Sequence, residues 1–493
     1  MFSKSILLAG ATALGLSAAA VRAENLIEVY QAATQSDPLI REAEARREAA
    51  LEVKPQARGA LFPQIGIGGQ VYTGDSDTKG YQTQFITRTD DQGNVVGGEW
   101  FSVPFTNKTD TDWYWDYSAQ LTQTIFRWDQ WQRLKQADLQ VALAEANYRA
   151  AQQDLALRVS QRYFDVLAAE DTLSAAEATL EALNRQQEQA EKRFEVGLIA
   201  ITDVQEARAA RDEATAAVIS AKRALANTQE ALRELTGEMY AELMKPSDDM
   251  PLNQPEPLDE DGWVSQAADQ NLEVISARLG VDIAKRNVKI AQSGHMPTVD
   301  LFAQRFQTDS SATAQTSVPD EFRDPTRPLP PAFPADIDRT NDTVGLRVNL
   351  PIFSGGATQA RVREQVHLHR AERERLEGAM RSAERNTRDA YLGVLAEKAR
   401  VNALRQSVKS SQTALEATEA GFEVGTRTTV DVLNGRRLLF DAQRNYARSR
   451  YDYLINVVRL KAAAGVLVAE DISQINSLLT TPLPLPATRP GGG

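Results

Sequence analysis

The 493-residue chain contains no cysteine, which excludes disulfides, thiolate metal sites and a cysteine nucleophile and leaves stability to packing alone. Histidine is scarce, with only His295, His367 and His369 present. The last two stand two apart in a helical pattern, so they point to different faces and make a poor metal pair. Cations are in deficit: 55 basic residues face 67 acidic ones for a formal charge of −12, or −14 once Lys4 and Arg22 leave with an export signal. Binding to nucleic acid needs clustered excess cations, and that class is set aside. No apolar run of transmembrane length follows Glu24, so no membrane helix is expected in the mature chain. A catalytic constellation is also lacking. Asp75-Ser76-Asp77 and Ser354-Gly355-Gly356 read as turns and not as calcium or phosphate sites. The expectation is a non-enzyme without cofactor or metal.

What is present begins with Lys4, an apolar run from Ile6 to Val21 and small residues up to Ala23, the pattern of a cleavable secretory signal over residues 1–23. The remainder reads as two copies of one unit. Phe194-Glu195-Val196-Gly197 matches Phe422-Glu423-Val424-Gly425, Asp203-Val204 matches Asp431-Val432, and Tyr163 matches Tyr391, all at a shift of 228 residues. The shift drifts only between these blocks, as it does in duplicated structure with variable connections. The expected domains are residues 24–245 and 246–480, each a helix, two strands and a long helical hairpin, followed by an exposed tail at 481–493 rich in Pro and Gly.

Each copy carries a helical stretch too long for a globular core. The first, from about residue 129 to 195, would extend about 100 Å. Val166, Ala169, Leu173, Ala176, Leu180, Leu183, Gln187, Ala190 and Phe194 fall at alternating three- and four-residue steps, a heptad seam. Val394 to Phe422 repeats that seam. Return helices follow each tip, with Val204, Ala207, Ala214, Val218, Ala221, Leu225 and Leu232 in the first.

Between the helices the period changes to two. Trp113, Trp115, Tyr117, Ala119 and Leu121 alternate with polar residues, and Val344, Leu346, Val348 and Leu350 do the same. With shorter versions at Ile65, Ile67 and Val71 and at Val299, Leu301 and Ala303, four strands are expected, at 64–73, 113–125, 298–307 and 343–352. Each suits a tilted membrane strand of about ten residues. Trp113, Trp115 and Tyr117 are expected at one strand end as an aromatic girdle, and residues 74–111 and 308–341 as long external loops. Four strands cannot close a barrel, and open edges in lipid leave backbone groups unpaired. Several chains must share one: two give eight strands and a filled interior, three give twelve and room for a conduit. A periplasmic coiled-coil scaffold or adhesin without a conduit is the competing reading, although it leaves the alternating strands unexplained.

At Val196-Gly197-Leu198-Ile199-Ala200-Ile201-Thr202-Asp203-Val204 and Val424-Gly425-Thr426-Arg427-Thr428-Thr429-Val430-Asp431-Val432 the sequence resembles the TolC family of outer-membrane channels, as do the segments ENLIEVYQAATQSDP and YDYLINVVRLKAAAG. The resemblance covers residue 24 to about 480. It implies an α+β fold: a homotrimer sharing a twelve-stranded barrel in outer-membrane lipid of a Gram-negative cell, continued by a coiled-coil helical tunnel through the periplasm. The implied function is a passive exit duct of tripartite efflux pumps or type I secretion. A periplasmic adaptor (membrane fusion) protein and an inner-membrane pump of RND, ABC or MFS type are the implied partners. By position the resemblance assigns a gate latch to Thr202, Asp203, Phe422 and Arg427, an entrance selectivity ring to Asp431 and Asn434, and adaptor docking to the tips at Gly197 and Gly425. Two positions depart from the family pattern. Phe422 replaces a tyrosine whose hydroxyl serves the latch, and Asn434 replaces a second acidic ring residue.

Overall fold

The computed structural model describes residues 23–247, 250–320, 328 and 331–481. Apart from Ala23, the expected export signal lies outside the described residues, as does the tail beyond Thr481. In chain order the first elements are α1 (Leu26–Ser36), α2 (Pro38–Leu51), α3 (Val53–Gly59), β1 (Gln64–Thr89), β2 (Val95–Phe126), α4 (Trp128–Glu195) and α5 (Ile201–Thr236). Then follow β3 (Lys245–Pro246), α6 (Glu260–Gln270), α7 (Leu272–Gln292), β4 (Thr298–Ser317), β5 (Phe333–Pro334) and β6 (Ile337–Asn349). The last are α8 (Ala357–Glu423), α9 (Thr429–Ala463), α10 (Ala469–Asn476) and β7 (Leu479–Thr481). Two compact units emerge, each drawing on both repeats: residues up to Leu51, Gln140–Asp282 and from Arg370 onward, and Glu52–Leu139 with Ile283–His369.

The first unit is helical. Its core gathers around Tyr163, Phe164, Leu167, Tyr451, Leu454 and Val458, with Leu26 and Val29 of α1 and Ile472 of α10 closed over them. Burial of each leucine of this kind contributes about 1.5–3 kcal/mol. The repeat is written into the polar contacts as well. The Tyr163 hydroxyl donates to the carbonyls of Glu24 (3.2 Å) and Met244 (2.8 Å), and Tyr391, its counterpart, donates to the carbonyl of Leu258. Burial pushes the Tyr163 hydroxyl above the ordinary tyrosine range. Gly465, at φ +78°, ends the last long helix where a Cβ would come 2.2 Å from the Gln270 carbonyl oxygen, so only glycine fits there. The seams are as the heptad spacing predicts: Ala176 packs with Val218 and Ala221, and Ala190 with Val204 and Ala207. Small side chains let α4 and α5 approach closely. Phe194 departs from its seam, being exposed at the tip.

The second unit is an antiparallel sheet with helix ends at its foot. β1 pairs with β2, β2 with β4, and β4 with both β6 and the short β5. Among the described residues β1 and β6 each have one unpaired edge. The register places Ile65, Leu121, Ala303 and Val344 in one row on one face, and Gly66, Gln120, Gln304 and Thr343 in the next row on the other. Ile65 and Val344 are 73% and 75% exposed, so these positions of the apolar face have no cover among the described residues.

Three expectations are corrected here. Three of the four strands are far longer than ten residues, with 26 in β1, 32 in β2 and 20 in β4, while β6 has 13 and ends at Asn349. Residues 74–111 are a hairpin, paired from Gly74↔Thr111 to Thr89↔Val95, and not a loop. Threonine and aromatic residues between the glycines and aspartates favour extended backbone, and the turn is confined to Asp90–Asn94, where the Asp90 carboxylate accepts from the Gln92 and Asn94 amides. Likewise β4 runs on to Ser317 inside the second expected loop, although residues 321–327 and 329–330 of that loop lie outside the described residues. Trp113, Trp115 and Tyr117 consequently fall within β2, and not at its end, beside a bulge at Thr111/Trp113. At the foot, Arg127 grips buried Asp300 with two hydrogen bonds (Nε to Oδ1 3.0 Å, Nη2 to Oδ2 2.8 Å), and Lys54 pairs with Asp138 at 2.6 Å.

Candidate gate at the hairpin tips

Both long hairpins reverse in the same way. Gly197 and Gly425 take the left-handed conformation, at φ +74° and +79°, and donate to the carbonyls of Phe194 and Phe422 at 2.9 and 3.1 Å. Leu198 N–H then donates to Arg193 O at 2.9 Å, and Thr426 N–H to Gly421 O at 2.8 Å, closing the last turns. The return helices are capped alike. The Asp203 carboxylate accepts from Ala200 N–H at 3.2 Å, and Asp431 from Thr428 N–H at 2.9 Å while the Thr428 hydroxyl accepts from Asp431 N–H at 3.2 Å. The Thr428 amide and hydroxyl, followed by the charge of Arg427, hold the Asp431 carboxyl below its ordinary range. One turn inward, Arg208 pairs with Glu191 (3.4 Å) and Arg436 with Glu419 (2.6 Å), the same contact in both copies.

The assigned residues come together only in part. Arg427 lays its stem against Gly421, where a Cβ would lie 2.8 Å from Arg427 Cγ. Its guanidinium is exposed and makes no hydrogen bond or ion pair among the described residues. Within one chain it does not join Thr202 or Asp203. Thr202 is exposed, Asp203 serves its own helix, and Asn434 is exposed one turn beyond half-buried Asp431. Phe422 has a partner that the sequence did not announce: Arg193 stands 5.1 Å from its ring centroid, joining the two tips of one chain by a cation–π contact. The only signal was position, since Arg193 is the counterpart of Gly421 and so faces the ring from the other copy. Val196, Leu198 and Val424 are exposed beside the tip glycines.

The model of the outer membrane efflux protein family matches residues 29–238 and 263–466, one segment in each repeat. The chain belongs to that family. It is 35% identical to the outer membrane protein TolC of Escherichia coli (strain K12) over 94% of this chain and 86% of that one. It is 26% identical to the alkaline protease secretion protein AprF of Pseudomonas aeruginosa over 91% of this chain and 86% of AprF. A crystal structure of CusC, described as forming a transmembrane channel, superposes with a TM-score of 0.68 at 16% identity, covering 90% of this chain and 92% of that one. This likeness carries the fold, long helices with an antiparallel sheet, and the family and the TolC relative carry the location, the outer membrane with extension into the periplasm.

Proposed function

We propose that this chain is a subunit of a passive outer-membrane exit duct, serving both the efflux of small toxic compounds and type I protein secretion. The observation that carries the proposal is the sheet of the second unit, with its uncovered apolar face and its unpaired edges on β1 and β6. Lipid satisfies the face, and only another copy of the chain satisfies the edges. Three copies give twelve long strands around a conduit. The two sequence repeats, 24–245 and 246–480, then each supply one sixth of a helical tunnel.

The tips form the gate in this reading. Arg427, without a hydrogen bond or ion pair from its guanidinium among the described residues, reaches Thr202 and Asp203 of a neighbouring subunit, and Asp431 lines the entrance with Asn434 beside it as a neutral position. Phe422 contributes through Arg193 in place of a hydroxyl. The exposed Val196, Leu198 and Val424, flanking the left-handed glycines, receive a helical hairpin from a periplasmic adaptor, through which an inner-membrane pump of the RND, ABC or MFS class supplies energy. A strain lacking the gene tests the proposal. It is expected to become sensitive to bile salts and dyes and to lose secreted proteins from its medium, and wild-type resistance together with wild-type secretion would refute the proposal.

A further inference from the structure

The charge of this acidic chain is unevenly laid out in its second unit. The described residues of the strand-bearing stretches 64–126 and 298–349 include six basic and fourteen acidic ones, whereas the helix ends and turns at their foot, 52–63, 127–139, 283–297 and 350–369, carry ten basic and four acidic. A groove of about 590 Å³ opens within that cationic foot, lined by Arg127, Arg133 and Arg361 together with Asn287, Thr298 and Gln365. The three guanidiniums are not consumed by the fold. Arg127 uses two of its donors on Asp300, Arg133 pairs with groove-lining Asp129 only at 3.7 Å, and Arg361 has no hydrogen bond or ion pair among the described residues.

Apolar residues that adjoin the groove's lining along the chain are uncovered. Phe126 immediately precedes Arg127, and Pro351 of the lining leads into Ile352 and Phe353, which are 92% and 87% exposed. Trp131, on the first turns of α4, is also exposed. A guanidinium cluster selects the oxygens of a phosphate, and adjoining bare aromatic and aliphatic side chains select acyl chains. We propose that the groove binds the phosphodiester headgroup of an anionic phospholipid, of the phosphatidylglycerol class, from the periplasmic leaflet. A free phosphate would leave these apolar side chains without a partner. The inference rests on the reading that the apolar strand face meets lipid, which places the foot at the level of the headgroups.

The test is native mass spectrometry of the full chain released from vesicles of phosphatidylglycerol or of phosphatidylcholine. The wild type is expected to retain phosphatidylglycerol preferentially. R361Q, which removes no hydrogen bond or ion pair among the described residues, is expected to lower that retention about fivefold, and R133Q/R361Q by that factor again, the contribution of one cation beside an anionic headgroup. Equal retention by wild type and R361Q, no preference for phosphatidylglycerol, or full displacement of the lipid by inorganic phosphate would each overturn the proposal. An R361Q chain that assembles in the membrane but has lost the lipid isolates the groove from the membrane reading itself, which fails separately if Leu346→Arg assembles normally.

Discussion

Leu346 lies on β6 in register with Leu301, between Val344 and Val348 on the same face, and is 65% exposed in the chain. An arginine at this position would point its guanidinium into hydrocarbon, at a cost of about 2–4 kcal/mol near the bilayer midplane. If three copies share the barrel, three such charges enter at one level and the penalty for the assembly becomes about 6–12 kcal/mol. That rivals the entire stability of a typical domain, roughly 5–15 kcal/mol. Thr343, in the row with Gln120 and Gln304, faces the other way, and Thr343→Arg adds a cation to a surface already polar. The assay is the yield of SDS-resistant oligomer in outer-membrane fractions. Leu346→Arg is expected to lose most of it, while Thr343→Arg and Gln120→Arg remain near wild type. Equal yields from all three would mean that the alternation marks an ordinary half-buried sheet, and the membrane assignment would fall.

At the tips, Arg427→Ser should raise single-channel conductance in planar bilayers more than Phe422→Ala does, since a charge-assisted hydrogen bond is worth about 1.5–3 kcal/mol and an exposed cation–π contact about 0.5–1; the reverse order would refute the latch. Thr428→Ala removes one side of the α9 cap and should cost about 1 kcal/mol, read as faster amide exchange in the first turn of α9. Asp431 titrates below its ordinary value when folded, so its capping contribution is complete at neutral pH and is lost as the pH falls through the depressed folded pKa. Asp431→Asn should abolish that acid-induced fraying, and persistence of the pH dependence in this variant would assign it to another group. Tyr163→Phe withdraws the hydroxyl donor from the Met244 carbonyl in the core and should destabilise the chain by about 1–3 kcal/mol, seen as faster thermal inactivation.

The helical half of the fold was legible because its signals are periodic and local. The seam from Val166 to Ala190 is buried or half-buried throughout, whereas the capping of their own helices by Asp203 and Asp431 emerges only from the structure. The strands were underestimated for a physical reason: beyond Tyr72 the chain is dominated by Gly, Asp, Ser, Thr and Gln with only scattered aromatic and aliphatic residues, and cross-strand pairing holds it extended even though no regular alternation marks it. Pairing across 46 residues, as between Gln70 and Asp116, leaves no trace in a local window. The tip glycines lie in the turns where their spacing put them, whereas the contacts that Phe422 and Arg427 make within the chain carried no local signal. That Arg193 stacks on Phe422 depends on two helices meeting 229 positions apart, and the seating of Arg427 on Gly421 depends on the left-handed turn between them.

The central claim is that the unpaired edges of β1 and β6 are closed by other copies of the chain. The mass of the detergent-extracted assembly by native mass spectrometry tests this most directly. The account predicts three chains in every particle, with the edge amides of β1 and β6 protected from hydrogen exchange. A stable single chain whose edge amides exchange freely would contradict it.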